Sequence, residues 1–170
     1  LIKSVYTTIH LSYNKLFFPI NDAIKDKGID TIELVHSLAI AYDFNNDPSL
    51  LSIAKQQDHI LLTGYGLKVA KAIENNLDKP FKYKTLQLKD GVDGNMGALS
   101  IFRSGFNDGH QTLVMKNTSH GYGHGHFDKL HWLYFDNNNE IISDYGAARF
   151  LNIEAKYGGH YLPENNLYAK

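Results

Sequence analysis

The spacing of apolar residues changes period halfway along these 170 residues, and that change constrains the fold more than any other feature. Up to about residue 78 apolar positions recur at helical intervals, whereas from Pro80 onward they fall in short runs. A helix is expected within Ser4 to Phe18, ended by Pro19. Asp30 and Glu33 have capping-box spacing, and Ile32, Leu34, Val35, Leu38, Ala39 and Tyr42 follow at helical intervals. Asp47-Pro48 starts the next helix, since proline suits the first helical position. Its apolar stripe is Leu50, Leu51, Ile53, Ala54, Ile60, Leu61 and Leu62, with Gly64 and Gly66 interrupting before Leu67 to Leu77 resume it. His10, His36 and His59 fall within these helices as packing or surface residues. Short loops imply antiparallel helical hairpins, so residues 1–78 read as a partial helical layer with most of the array missing.

Residues 79–170 read as strands. Leu99 to Arg103, Gln111 to Lys116, Leu130 to Asp136 and Glu140 to Tyr145 are short, rich in β-branched and aromatic residues, and separated by turn residues. Asp136-Asn137-Asn138-Asn139 is a hairpin signal, so the sheet is expected to be antiparallel and one face of a sandwich. The fold class is therefore α+β. A hydrophobic fraction of 43% fits a globular domain rather than a disordered chain. A formal net charge of −1 provides no general attraction to nucleic acid or anionic membrane, and no apolar run reaches membrane-spanning length. The absence of cysteine excludes disulfides and thiolate metal ligands. Leu1 is not an initiator and no signal peptide opens the chain, which therefore reads as an internal piece of something longer.

The chemistry concentrates in Ser119 to Asp128, which reads Ser-His-Gly-Tyr-Gly-His-Gly-His-Phe-Asp. In extended backbone His120, Tyr122, His124, His126 and Asp128 share one face, and Gly121, Gly123, Gly125 and Phe127 the other. Three imidazoles, a phenol and a carboxylate thus line one edge, beside glycines that permit close approach. The plainer alternative is a glycine-rich surface loop with incidental histidines. A zinc site needs imidazole or carboxylate donors converging on about four positions. Pairing about the Asn-rich turn brings His126 and Asp144 to one end of the sheet as two such donors, leaving a third to another histidine here or to a residue beyond Lys170. Asp144 as a turn acceptor and His126 as a hydrogen-bonded sheet residue are the competing roles.

Arg103 and Arg149 are the two arginines, and Arg149 follows Asp144-Tyr145-Gly146 closely enough to sit near the same sheet end. A guanidinium there can grip a substrate carboxylate with two parallel hydrogen bonds, or form a structural ion pair. Lys156 to Asn166 packs aromatic and amide groups, including Tyr161 and Asn165, into a loop suited to stacking and hydrogen bonding with sugars.

Taken in order, Gly123-His-Gly-His-Phe-Asp-Lys-Leu130, Asp144-Tyr-Gly-Ala147 with Arg149-Phe150, Tyr157-Gly-Gly159 and Tyr161-Leu-Pro-Glu-Asn165 resemble the heparinase II/III-like region of alginate lyases, in particular polysaccharide lyase family seventeen, the exo-acting oligoalginate lyases. Pro19 to Gly28 likewise resembles that family's helical domain, so the likeness spans nearly the whole chain. It implies the end of an (α/α) toroid over 1–78 and the first part of an antiparallel sheet domain over 79–170, with polymannuronate-type alginate oligosaccharide held between them. Family members cleave by β-elimination to an unsaturated uronate. The resemblance places zinc on His126 and Asp144, assigns catalysis to His124 and Tyr161, and sets Arg149 against the substrate carboxylate; Tyr122 and Asn165 are further substrate-binding candidates. It expects a third zinc histidine beyond Lys170 and a tyrosine and Asn-His pair before Leu1, so the piece alone is expected to be inactive. Periplasmic or secreted location and a homodimer of the full-length protein are further expectations from the resemblance.

Elimination removes a weakly acidic C5 proton beside a carboxylate that is already negative. Neutralising that carboxylate stabilises the enolate-like transition state, while a tyrosine or histidine acts as base and an acid protonates the departing O4. Two other readings stand beside this one. A cupin-like metalloprotein also uses His-x-His, but expects a glutamate where Leu130 and His131 stand. A carbohydrate-binding or structural remnant would keep the sheet without the chemistry.

Overall fold

The computed structural model describes residues 2–21, 23, 25–107, 109–118 and 130–144. These fall into two units, one helical and one built on a sheet.

The helical unit takes the described residues within Leu1–Phe17, Lys27–Tyr83 and Phe106–Asp108. Helix α1 (Ile2–His10) stops earlier than the apolar spacing predicts. Asn14 and Lys15 take left-handed conformations (φ 47° and 68°), and the chain folds back as a hairpin of β1 (Ser12–Tyr13) and β2 (Leu16–Phe17). Helix α2 (Ile32–Asn45) begins at Thr31, not Asp30. The Thr31 carbonyl already accepts from the Leu34 and Val35 N–H groups, at 2.9 and 3.0 Å, which puts the start one residue later than a capping box on Asp30 and Glu33 requires. Glu33 still lies in the first turn, where a negative charge suits the helix dipole.

Helix α3 (Pro48–Gln57) starts as expected, with Asp47 accepting from Ser49 N–H at 2.9 Å and Pro48 in the first turn. It ends when Asp58 turns left-handed (φ 55°), so the expected stripe is cut short. Leu50, Leu51, Ile53 and Ala54 are buried, but Ile60 and Leu62 are exposed in the following loop, which also holds His59. Helix α4 (Gly64–Glu74) is then a new helix rather than a resumption, and the Thr63 hydroxyl caps it by accepting from Gly66 N–H at 3.1 Å. A side chain at Gly66 would meet the Leu61 carbonyl oxygen at 2.3 Å, whereas Gly64 faces open space. Gly66 therefore lets the first turn of α4 press against the preceding loop. The core runs through Ile9, Leu38, Leu50, Leu51, Ile53 and Tyr83. Burying each large aliphatic there contributes about 1.5–3 kcal/mol.

The sheet unit takes the described residues within Phe18–Asp26, Lys84–Gly105 and Gly109–Lys170. Its strands are β3 (Leu86–Gln87), β4 (Leu99–Arg103), β5 (Thr112–Lys116), β6 (Trp132–Asp136) and β7 (Asn139–Ile142). They form one antiparallel sheet in the order β3-β4-β5-β6-β7, as the alternating runs predict. Asp136 pairs with Asn139, so Asn137 and Asn138 (φ 49° and 64°) make the two-residue turn, both left-handed as this tight hairpin geometry requires. Ile101, Val114 and Leu133 align across three strands and are fully buried. Phe18 adds its ring to that of Phe135 at 5.4 Å, and Lys25 pairs with Glu140 at 3.0 Å. No described helix is long and apolar enough to cross a membrane.

Candidate functional site

Antiparallel register gathers four positions at one end of the sheet. Leu99 at the start of β4 pairs with Lys116 at the end of β5. The Lys116 N–H donates to the His131 carbonyl at 2.8 Å, which fixes the residue before β6. Asp144 follows β7 by two residues and returns to the same end. Gly97 closes the edge, its backbone so near Asn117 that a Cβ would stand 1.8 Å from that residue's carbonyl oxygen.

This end carries ionisable side chains where an ordinary sheet face is apolar. Lys116 is 4% exposed and Asp144 3% exposed, a burial that ionisable side chains rarely accept without a purpose or a partner. His131 Nε2 lies 3.8 Å from Asp144 Oδ2, and among the described residues that nitrogen is buried with no hydrogen-bond partner. Among the described residues, no three histidine, aspartate or glutamate side chains come together as a metal site. The pair is an imidazole nitrogen and a carboxylate oxygen facing each other across a gap wider than a hydrogen bond. It can orient one member, or share a cation or a water.

Of the candidates from sequence, Asp144 is the one within the described residues. Tyr122, His124, His126, Arg149, Tyr161 and Asn165 lie outside them, as do His120 and Asp128. In the sequence the histidine-rich segment lies between Lys116 and His131, and Arg149 follows Asp144. Lys116, His131 and Asp144 stand at this one sheet end. Motif reading does not single out His131, because it stands outside the alternating His-Gly run. The signal that finds it is the hairpin count: from the Asn137-Asn138 turn, the chain positions opposite Asp144 are Trp132 and its neighbour His131.

Among the described residues, Tyr6 and Asp47 of the helical unit, bonded to each other, are held away from their ordinary ionisation range. Tyr6 donates its phenol proton to Asp47 and accepts from Asn45 Nδ2 at 3.0 Å. Burial, reinforced by the bond to Asp47, pushes the Tyr6 phenol up to about 12. Burial pulls the Asp47 carboxyl upward, but hydrogen bonds from Tyr6 and Ser49 outweigh it and hold the group below the usual range. A phenol so reluctant to ionise is a poor base at neutral pH. The pair fastens α1 to the start of α3 and belongs to the architecture.

A family model described as heparinase II/III-like, C-terminal, matches residues 86–170. The whole chain is 64% identical over 170 residues to an exo-oligoalginate lyase of Saccharophagus degradans and 55% identical to an alginate lyase of Stenotrophomonas maltophilia. The chain spans 23% of the length of each of these curated relatives.

Proposed function

Since the chain belongs to the heparinase II/III-like C-terminal family, we propose that it is a segment of a polysaccharide lyase that cleaves alginate oligosaccharides by β-elimination. The observation that carries this is identity of 64% along all 170 residues to a protein named for that activity. On this reading residues 1–78 end an (α/α) toroid, residues 79–170 begin a sandwich-type sheet domain, and both continue outside this chain. The acidic oligosaccharide is the partner, polymannuronate-type chains the preferred substrate, and the periplasm or exterior the place of action. The full-length protein is a homodimer in this proposal.

Arg149 binds the uronate carboxylate and offsets the charge that grows as C5 loses its proton. Tyr122 and Asn165 hold the neighbouring sugar. His124 and Tyr161 flank the scissile bond as acid–base groups, each kind of group supplying about 10²–10⁴-fold. The tyrosine and the Asn-His pair expected before Leu1 complete the machinery, the main base among them.

The donors at the sheet end suit zinc, which takes imidazole nitrogen and carboxylate oxygen. Asp144 offers a buried carboxylate, and the imidazole nitrogen of His131 faces it at 3.8 Å. His126 and Asp144 would hold the ion together with a histidine beyond Lys170. Bound there, zinc would brace the sheet end and orient the segment that carries His124.

The test is the ultraviolet absorbance of the conjugated product when the complete polypeptide meets polymannuronate oligosaccharides. The absorbance is expected to rise with wild type, to fall for Arg149→Ala through both binding and turnover, and to recover in part with Arg149→Lys. Binding of alginate without any rise would overturn the lyase in favour of a carbohydrate-binding remnant.

A further inference from the structure

We infer that His131 is a positioning residue for Asp144: its imidazole N–H holds the carboxylate so that the other carboxylate oxygen faces the metal. The inference rests on the proposed zinc site and adds to it a residue that site does not assign. Three observations support it. The His131 backbone is pinned to β5 through its carbonyl, which accepts the Lys116 N–H at 2.8 Å, so the ring is presented from a fixed base. Among the described residues Nε2 is buried without a hydrogen bond, a state that calls for an acceptor nearby. The group it faces is Asp144 Oδ2 at 3.8 Å, in a side chain 3% exposed.

The gap exceeds a charge-assisted hydrogen bond by about 1 Å. The second torsion of aspartate is broad, so a modest swing of the carboxylate closes it. Once one oxygen is committed to a cation, the two oxygens cease to be equivalent. A donor on the second oxygen then selects a single carboxylate orientation. Partners of this kind typically carry about 10–100-fold in metal affinity.

The experiment measures zinc affinity of the complete polypeptide by competition with a chelator, alongside the melting temperature, for His131→Phe, His131→Gln and Asp144→Asn. Phenylalanine keeps the ring shape but donates nothing, whereas glutamine retains an N–H. His131→Phe is expected to weaken zinc by about 10–100-fold, His131→Gln to recover part of that, and Asp144→Asn to lose more than either. Wild-type affinity in His131→Phe, or equal losses in the phenylalanine and glutamine variants, would overturn the positioning role while leaving the metal site intact. Zinc fully retained in Asp144→Asn would instead overturn the zinc site itself. Should the phenylalanine variant fail to fold, His131→Leu takes its place in the same comparison.

Discussion

Among the described residues the helical unit buries His10, Ser12 and Gln57, and the sheet unit buries Ser100, Thr112, Lys116 and Asp144. In the helical unit each such group serves the chain locally. Ser12 Oγ donates to the Ile9 carbonyl at 2.7 Å, and Gln57 Nε2 donates to the Ile29 carbonyl at 2.8 Å. The His10 ring packs on Phe81 and Tyr83, at 5.1 and 6.0 Å. Two of the sheet unit's four, Lys116 and Asp144, have ionisable side chains, and both stand at the same sheet end. Polar burial in the first unit fixes helices. In the second, Lys116 and Asp144 lie at one end of the sheet and Thr112 at the other, and the centre, Ile101, Val114 and Leu133, is apolar.

The largest effect tests whether the two apolar centres are equally committed. Leu51 and Ile101 are both fully buried. Leu51→Ala and Ile101→Ala are each expected to cost about 2–5 kcal/mol in denaturant unfolding of the complete polypeptide, the range for aliphatic truncation in a packed core. A loss near zero at Ile101 would show that the sheet is loosely packed and break the comparison at its base.

How far the sequence reveals this architecture follows the same division. The Asp47-Pro48 start, the β4 run and the Asn137-Asn138 turn were legible because each depends on residues adjacent in the chain. Period counting overran at Phe18 and at Leu62, since apolar spacing carries no record of the left-handed residues: Asn14 and Lys15, which turn the chain back after α1 has ended at His10, and Asp58, which ends α3. It missed the cap at Thr31, where backbone hydrogen bonds rather than side-chain spacing decide the start. The position of Asp144 at a strand end is legible because hairpin arithmetic counts from the Asn137-Asn138 turn. His131 needed the register and the burial together, and neither is written in a motif.

A middle-sized effect sharpens the claim that polar groups in the helical unit are structural. Asp47 caps α3 and accepts from Tyr6, so Asp47→Ala is expected to cost about 0.5–2 kcal/mol as a lost cap, without changing turnover per folded molecule. The sign of its pH dependence follows from a folded carboxyl that, against the upward pull of burial, hydrogen bonds from Tyr6 and Ser49 hold below the usual carboxylate range. The stabilisation is fully present above the unfolded pKa and is lost as pH falls through the folded one. Unfolding curves of wild type and Asp47→Ala should therefore be furthest apart at neutral pH and converge below about pH 4. A gap that persists unchanged into strong acid would mean that the carboxylate's charge contributes nothing.

The smallest effect isolates the other half of that pair. Tyr6→Phe removes the phenol but keeps the ring, which stacks near Phe81 with centroids 6.2 Å apart. The net loss should be about 0.5–1.5 kcal/mol, the usual range for one hydrogen bond. Alkaline pH separates this bond from simple ring packing. The Tyr6 pKa is pushed up to about 12 from 10.0, first by burial and then by the bond to Asp47. Ionising the phenol would set a second negative oxygen against the Asp47 carboxylate. Because the folded value lies above the unfolded one, the stabilisation is complete below pH 10 and lost as pH rises from there toward 12. In the difference spectrum of phenolate absorbance, wild type minus Tyr6→Phe, one tyrosine should ionise late, near the upper end of that window. If the missing tyrosine instead ionises near pH 10, the bond to Asp47 does not hold in solution, and the helical unit joins α1 to α3 by apolar contact alone.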